Sequence, residues 1–327
     1  MKKHIVLMPI FCLPLMGANL TTLVSCKDNE ENKPTFENDS WSNVALYADQ
    51  GLEALKKHYG LETFIGLERT VNVFGVDHKV RVIGEDEDII NSEITSLKRA
   101  SLTFQFSTIL SQKDEDMGGV IVPIEMPFIA EQEGDRAYNR WGGSDVRQWL
   151  NDKNDENSFK TQLENAIGSN VLKTVKKNSI GELYYPQRSA KSNEETIFLL
   201  SLGDIYSAGR NQLPDEEPND EWYVREANIV AGGWKPYSFF TKNIRYDFDY
   251  LTPVRCLTLS DPNGQNHPYW LRTGYTSQTE IEISEEESYL YYGQWVMGAD
   301  GACGHWFLDN PYPIQFSSIG LAPCFCI

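Results

Sequence analysis

An α+β fold, with two or three helices beside a small, irregular and mostly antiparallel sheet, is what the sequence predicts, and three observations predict it. Apolar residues recur at helical spacing in Trp41, Val44, Ala45, Ala48, Leu52 and Leu55, and again in Val146, Trp149 and Leu150. Val71 and Val73, Val80 and Val82, and the run Leu102–Phe106 alternate with period two, as half-buried strands do. The regular strand–helix alternation of a doubly wound sheet is missing, and so is any repeat of fixed period.

The beginning of the chain reads as an export signal. Lys2 and Lys3 precede an apolar run from Ile5 to Met16, with no acidic residue before Asp28. The run is shorter than the roughly 20 residues a membrane-spanning helix needs. It closes on Leu23-Val24-Ser25-Cys26, which resembles the lipobox of bacterial lipoproteins. Residues 1–25 are therefore expected to be a signal peptide and Cys26 the lipidation site, with two acyl chains giving stable attachment to the outer face of the cell membrane. Residues 26–39, polar and acidic with Pro34, suit a flexible tether. Residues 40–327 are expected to form one globular domain, with a helix-and-hairpin portion over 40–118 and a second portion over 119–327.

The formal net charge is −18, which repels nucleic acid and anionic headgroups alike, so membrane attachment has to come from the lipid. Aromatic residues make up 12% of the chain, too many for a chain disordered beyond its tether.

Residues 41–55 are predicted as one helix capped by Ser40. Thr70–Phe74 and Lys79–Ile83 read as a hairpin turning through Gly75-Val76-Asp77-His78. The acidic runs Glu85–Asp88 and Asp114–Asp116 read as solvated loops, because consecutive carboxylates cannot all point at one ion and neither run has the spacing of a calcium loop. Ser144 can cap a helix that begins at Asp145 and faces inward through Val146, Trp149 and Leu150. Phe159, Leu163, Ala166 and Ile167 form another helix, closed by Gly168. Thr196–Ser201 is an apolar run expected at the centre of the sheet. The charged, aromatic-rich stretch 207–253 is long for a loop and is expected to carry binding function. The remainder reads as strands at Tyr269–Arg272, Leu290–Met297, His305–Leu308 and Ile319–Ile327, with Gly298–Gly301 as a hairpin turn.

Four cysteines, Cys256, Cys303, Cys324 and Cys326, remain beyond the signal and Cys26. Cys324 and Cys326 stand two apart in a strand, face the same side, and cannot readily pair with each other. Disulfides to Cys256 or Cys303 and buried free thiols both remain open.

Four motifs then occur in order: Trp141-Gly-Gly-Ser-Asp-Val-Arg-Gln-Trp-Leu-Asn151, Phe198-Leu-Leu-Ser201, Trp270-Leu-Arg272 and Pro323-Cys-Phe325. Together they resemble a family of uncharacterised bacterial extracellular and lipoprotein domains. The chain departs from the family pattern at Tyr269 and Thr273, and at Ala322 in place of an arginine. The resemblance implies a C-type-lectin-like fold, similar also to sulfatase-modifying domains, with Trp141, Ser144, Arg147, Trp149, Leu150, Asn151, Trp270 and Arg272 as the residues that carry it. It implies no established activity.

Arg147 and Arg272 can converge on an anionic ligand or clamp helix to sheet, and the clamp, with Arg147 tying its helix to the Trp270–Arg272 strand, is the expectation. The tryptophans are expected in the core rather than stacked on sugars. Glu217-Pro218-Asn219 matches a lectin tripeptide but lacks the Trp-Asn-Asp that would support sugar binding through calcium. The histidines share no ligand spacing, and no nucleophile motif is present. The sequence thus predicts a non-enzymatic binding or adhesion module for a glycan or protein, without cofactor or metal. An extracellular enzyme dependent on cysteine or metal is the alternative.

Overall fold

Two helices stand where one was expected at the start of the fold. Ser40 accepts a hydrogen bond from the Asn43 amide at 3.1 Å and caps the first, but Gly51, at φ 99°, turns the chain so that Leu52 and Leu55 are buried from a second helix. The period of apolar residues carries through the break, which is why it read as continuous. Only a glycine takes that backbone angle without strain.

The computed structural model describes residues 34–91, 97–128, 141–179, 191–205, 236–243, 259–276, 281–284, 287–289, 292–299, 303–307 and 319–327. Its helices are α1 (Trp41–Ala48), α2 (Leu52–Tyr59), α3 (Asp145–Asn151), α4 (Phe159–Ile167), α5 (Leu202–Ile205) and α6 (Ser238–Asn243). The strands are β1 (Glu68–Val73), β2 (Val76–Glu85), β3 (Leu102–Phe106), β4 (Ser111–Asp114), β5 (Val120–Pro123), β6 (Val175–Ser179), β7 (Lys191–Glu195), β8 (Ile197–Phe198), β9 (Leu259–Ser260), β10 (Asn266–His267), β11 (Tyr269–Thr276), β12 (Ile281–Ser284), β13 (Glu287–Tyr289), β14 (Tyr292–Met297), β15 (Cys303–Phe307) and β16 (Cys324–Cys326). The fold is α+β, and among the described residues the strands pair antiparallel, with isolated parallel bridges at Thr108–Ser260 and Tyr269–Gly320.

The central sheet has the order β1-β2-β3-β16-β8. Its hairpin turns at Phe74 and Gly75, both at positive φ (51° and 72°), so Val76–His78 belong to β2 rather than to the turn. β16 lies between β3 and β8. The run Thr196–Ser201 contributes only Ile197 and Phe198 and sits at the sheet edge, although Ile197–Leu200 are all buried. Burial on every side signals an interior segment without telling centre from edge. The stretch Ile319–Ile327 is likewise strand only over Cys324–Cys326. β14 and β15 form the hairpin expected around Gly298–Gly301.

Alternation divides the central sheet into two unlike faces. Phe104, Phe106 and Phe325 point toward α1 and α4: Trp41 meets Phe104 edge-on at 5.4 Å, Phe106 meets Phe159 at 5.3 Å, and Phe104 stacks on Phe325 at 5.1 Å. Thr103, Gln105, Cys324 and Cys326 point the other way and are buried too. That second face is polar. Tyr237, which immediately precedes α6, lies across it against Gly84.

Candidate functional site

Ser144 accepts the Arg147 amide at 3.1 Å and starts α3 as its sequence requires, while Val146 and Leu150 are fully buried. Trp149 is only half-buried and lies parallel to Phe74 at 5.9 Å, so it roofs the core rather than filling it. The other motif residues converge on one segment. Trp141 Nε1 and Arg147 Nε donate to the same oxygen, Glu195 Oε1, at 2.9 and 2.8 Å. The Asn151 carboxamide donates to the Ile197 carbonyl at 2.8 Å and accepts the Ile197 amide at 3.1 Å, acting as a strand partner for β8.

The expected tie between Arg147 and the Trp270–Arg272 strand is therefore corrected: Arg147 binds the segment Glu195–Ile197. Arg272 is buried separately, donating to Asp204 Oδ2 and the Leu199 carbonyl, each at 2.5 Å. Both arginines clamp opposite ends of the run 195–201, and they do not converge on a common ligand position. Trp270 is fully buried and donates to the Met126 carbonyl at 2.9 Å. Glu195, which the sequence did not single out, is fully buried; burial raises its pKa against the pull of Arg147, and its Oε2 has no partner among the described residues.

Outside this clamp, a groove of about 440 Å³ runs along α3, lined by Gly142, Gly143, Ser144, Arg147, Gln148 and Asn151 and closed by Asp152 and Asn154. A side chain at Gly143 would project into open space.

On the polar face of the central sheet lies a second cluster that sequence reasoning missed. Asp88, the last residue of an acidic run expected to be solvated, is buried. It pairs with Lys177, buried as deeply, 89 positions along the chain. Asp88 Oδ2 accepts from Thr103 Oγ1 at 2.5 Å, Tyr237 Oη at 2.8 Å and Cys326 Sγ at 3.3 Å. Burial drives the lysine pKa down, Asp88 and Asp204 drive it up, and the net shift is upward. No local pattern in Glu85–Asp88 announces a lysine so far away. Asp116, by contrast, is exposed at a hairpin turn, as expected.

Cys324 and Cys326 are free, fully buried thiols, and burial raises both pKa values well above the ordinary thiol range. Cys303 opens β15. Cys26, Cys256, Glu217-Pro218-Asn219 and the stretch 207–253 other than 236–243 lie outside the described residues. Among the described residues, no three His, Cys, Asp or Glu side chains are grouped to hold a metal ion, and no helix is long and apolar enough to cross a membrane.

A two-sided antiparallel sheet, with the tryptophan–arginine helix clamped to an internal glutamate, defines an α+β domain of an uncharacterised class. The chain belongs to the family described as "Domain of unknown function (DUF6273)", which matches residues 125–327 and so includes all four motifs. The upstream β1–β2 hairpin and β3 lie before the match. No curated protein and no solved structure matches the chain.

Proposed function

We propose that this is a lipid-anchored bacterial surface protein whose domain binds a glycan or protein ligand, without catalysis, in the groove along α3. The observation that carries the reading is that the Trp141–Asn151 motif lines a groove whose accessible groups are hydrogen-bonding ones. Gln148 and Asn154 offer carboxamides, Asp152 a carboxylate and Arg147 a part-exposed guanidinium, and Gly142 and Gly143 leave the backbone open. Such directional donors and acceptors suit sugar hydroxyls or a peptide backbone. The burial of both described thiols, with their raised pKa values, favours binding over cysteine chemistry, since the thiolate is the reactive form. A C-type-lectin-like arrangement is part of the proposal, supported by the helices α3 and α4 beside an antiparallel sheet. The lipobox-like Leu23–Cys26 supports the anchor at Cys26.

The test is capture on glycan and protein arrays by the full chain and by its Gly143→Leu variant. The leucine enters open space and leaves the fold intact, so the expected result is binding by the native chain that the variant loses. Capture of nothing by the native chain, or equal capture by both, refutes the groove. Incorporation of an alkyne-tagged palmitate that disappears in Cys26→Ala tests the anchor separately.

A further inference from the structure

A buried lysine and a buried aspartate in direct contact form either a costly ion pair or the precursor of an amide. Taking both charges out of water is expensive, and the penalty is repaid only with good geometry and full hydrogen bonding. Here Lys177 Nζ faces Asp88 Oδ1, and both side chains are about 6% exposed. The ammonium lies 4.2 Å from the Phe198 ring centre and 4.6 Å from that of Tyr237, so the pair is walled by aromatic surface. The backbone holds it in place: the Lys176 amide donates to the Ile89 carbonyl at 2.9 Å, locking the two neighbouring residues together.

The remaining oxygen is unusual. Oδ2, the oxygen not bonded to the amine, collects three donors, from Thr103, Tyr237 and Cys326, and the Tyr237 hydroxyl also accepts from Lys177 Nζ. The same donors that satisfy a buried carboxylate would also hold a carbonyl oxygen that becomes negative during acyl transfer, and donors fixed in advance around such an oxygen are the arrangement that lowers the barrier.

We propose that Lys177 and Asp88 are joined by a self-formed isopeptide bond between Nζ and Cγ. The proton passes from the ammonium to Oδ1 within the pair, and the neutral amine and carboxylic acid that result are the reacting form. Nζ then attacks Cγ, and the charge that develops on Oδ2 is held by the three donors. The Cγ–Oδ1 bond breaks, and Oδ1 leaves as water, taking the acid proton and one proton from Nζ. One amide forms, one water departs, and no oxidant, reductant or cofactor is needed. The product carries no buried charge at the pair, which removes the desolvation penalty that the ion pair bears.

The experiment is peptide mapping by mass spectrometry of the full chain after tryptic digestion. The bond would block cleavage after Lys177 and yield a branched peptide, Val82–Lys98 joined to Lys177–Arg188, lighter by one water than the two pieces summed. The expected result is that this species replaces most of both linear peptides, and that it is absent from Lys177→Arg, whose guanidinium keeps the charge but is a poor nucleophile. Recovery of the linear peptides at their sequence masses from the native chain overturns the proposal, whatever the variant does. So does a loss of water that persists in Lys177→Arg.

Discussion

Acidification from pH 6.5 to pH 4 is expected to cost this fold about 3 kcal/mol through one residue, His78. Its ring is fully buried against Phe106, with Nδ1 at 3.1 Å from Thr108 Oγ1 and Nε2 at 3.3 Å from the Ser111 carbonyl. A carbonyl can only accept, so Nε2 carries the proton and Nδ1 accepts from the threonine. A second ring proton would leave a buried cation facing a hydroxyl. Burial accordingly lowers the pKa from 6.5 to about 4, although the Ser111 carbonyl and Asp77 work in the opposite direction. The sign follows: the unfolded chain takes up the proton near 6.5, the folded chain only near 4, so the stabilisation is complete above 6.5 and is lost as pH falls through that window. Each pKa unit is worth about 1.4 kcal/mol, which over this interval gives the figure above. Urea denaturation of the native chain and of His78→Gln at pH 7 and pH 4 measures it. The native chain should lose about 3 kcal/mol more than the variant on acidification; equal losses would show that His78 is charged or solvated in the folded state and refute the reasoning.

Two further predictions concern the clamps. Glu195→Ala leaves the Trp141 indole N–H buried without an acceptor and Arg147 without its carboxylate, at a cost of about 3 kcal/mol, moderated because Arg147 reaches solvent. Glu195→Gln keeps the accepting oxygen and should stay within about 1 kcal/mol of the native chain; chemical denaturation that finds the two variants equally unstable would show that charge, not hydrogen bonding, matters at this position. Gly84→Ala sets a methyl 2.6 Å from the Tyr237 ring and should cost about 1–3 kcal/mol by overpacking. A double-mutant cycle with Tyr237→Leu checks the cause, because the penalty should largely vanish once the ring is gone.

What the sequence displayed were features that depend on near neighbours. Ser40 and Ser144 cap helices where the local pattern places a start, and the alternation of Val71, Val73, Val80 and Val82 locates the hairpin. Errors arose where a distant partner decided the outcome. Glu85–Asp88 looks like a surface run until Lys177 arrives to bury Asp88, and Thr196–Ser201 looks like a central strand until β16 takes that place. Arg147 bonds Glu195 rather than the expected Trp270–Arg272 strand, an anchor no motif announces because Glu195 stands outside every one of them. The groove along α3 is hidden for another reason: the inward residues of α3 carry the periodicity, while outward Gln148 and Asp152, just past its end, carry no pattern of their own.

The position of β16 also governs when the domain can fold. Thr103 and Cys326 are 223 positions apart in sequence and 3.4 Å apart in space, and Ile327 and Leu102 exchange backbone hydrogen bonds at 3.0 and 3.3 Å. Until residue 326 has been synthesised, β3 has one unpaired edge and β8 lacks its partner among the described strands. Contacts of such high order close slowly, because the entropy of the intervening loop must be overcome first. The nascent chain therefore waits, its central layer incomplete, until Cys324–Cys326 have been made, and a product released before them exposes an open strand edge prone to aggregation.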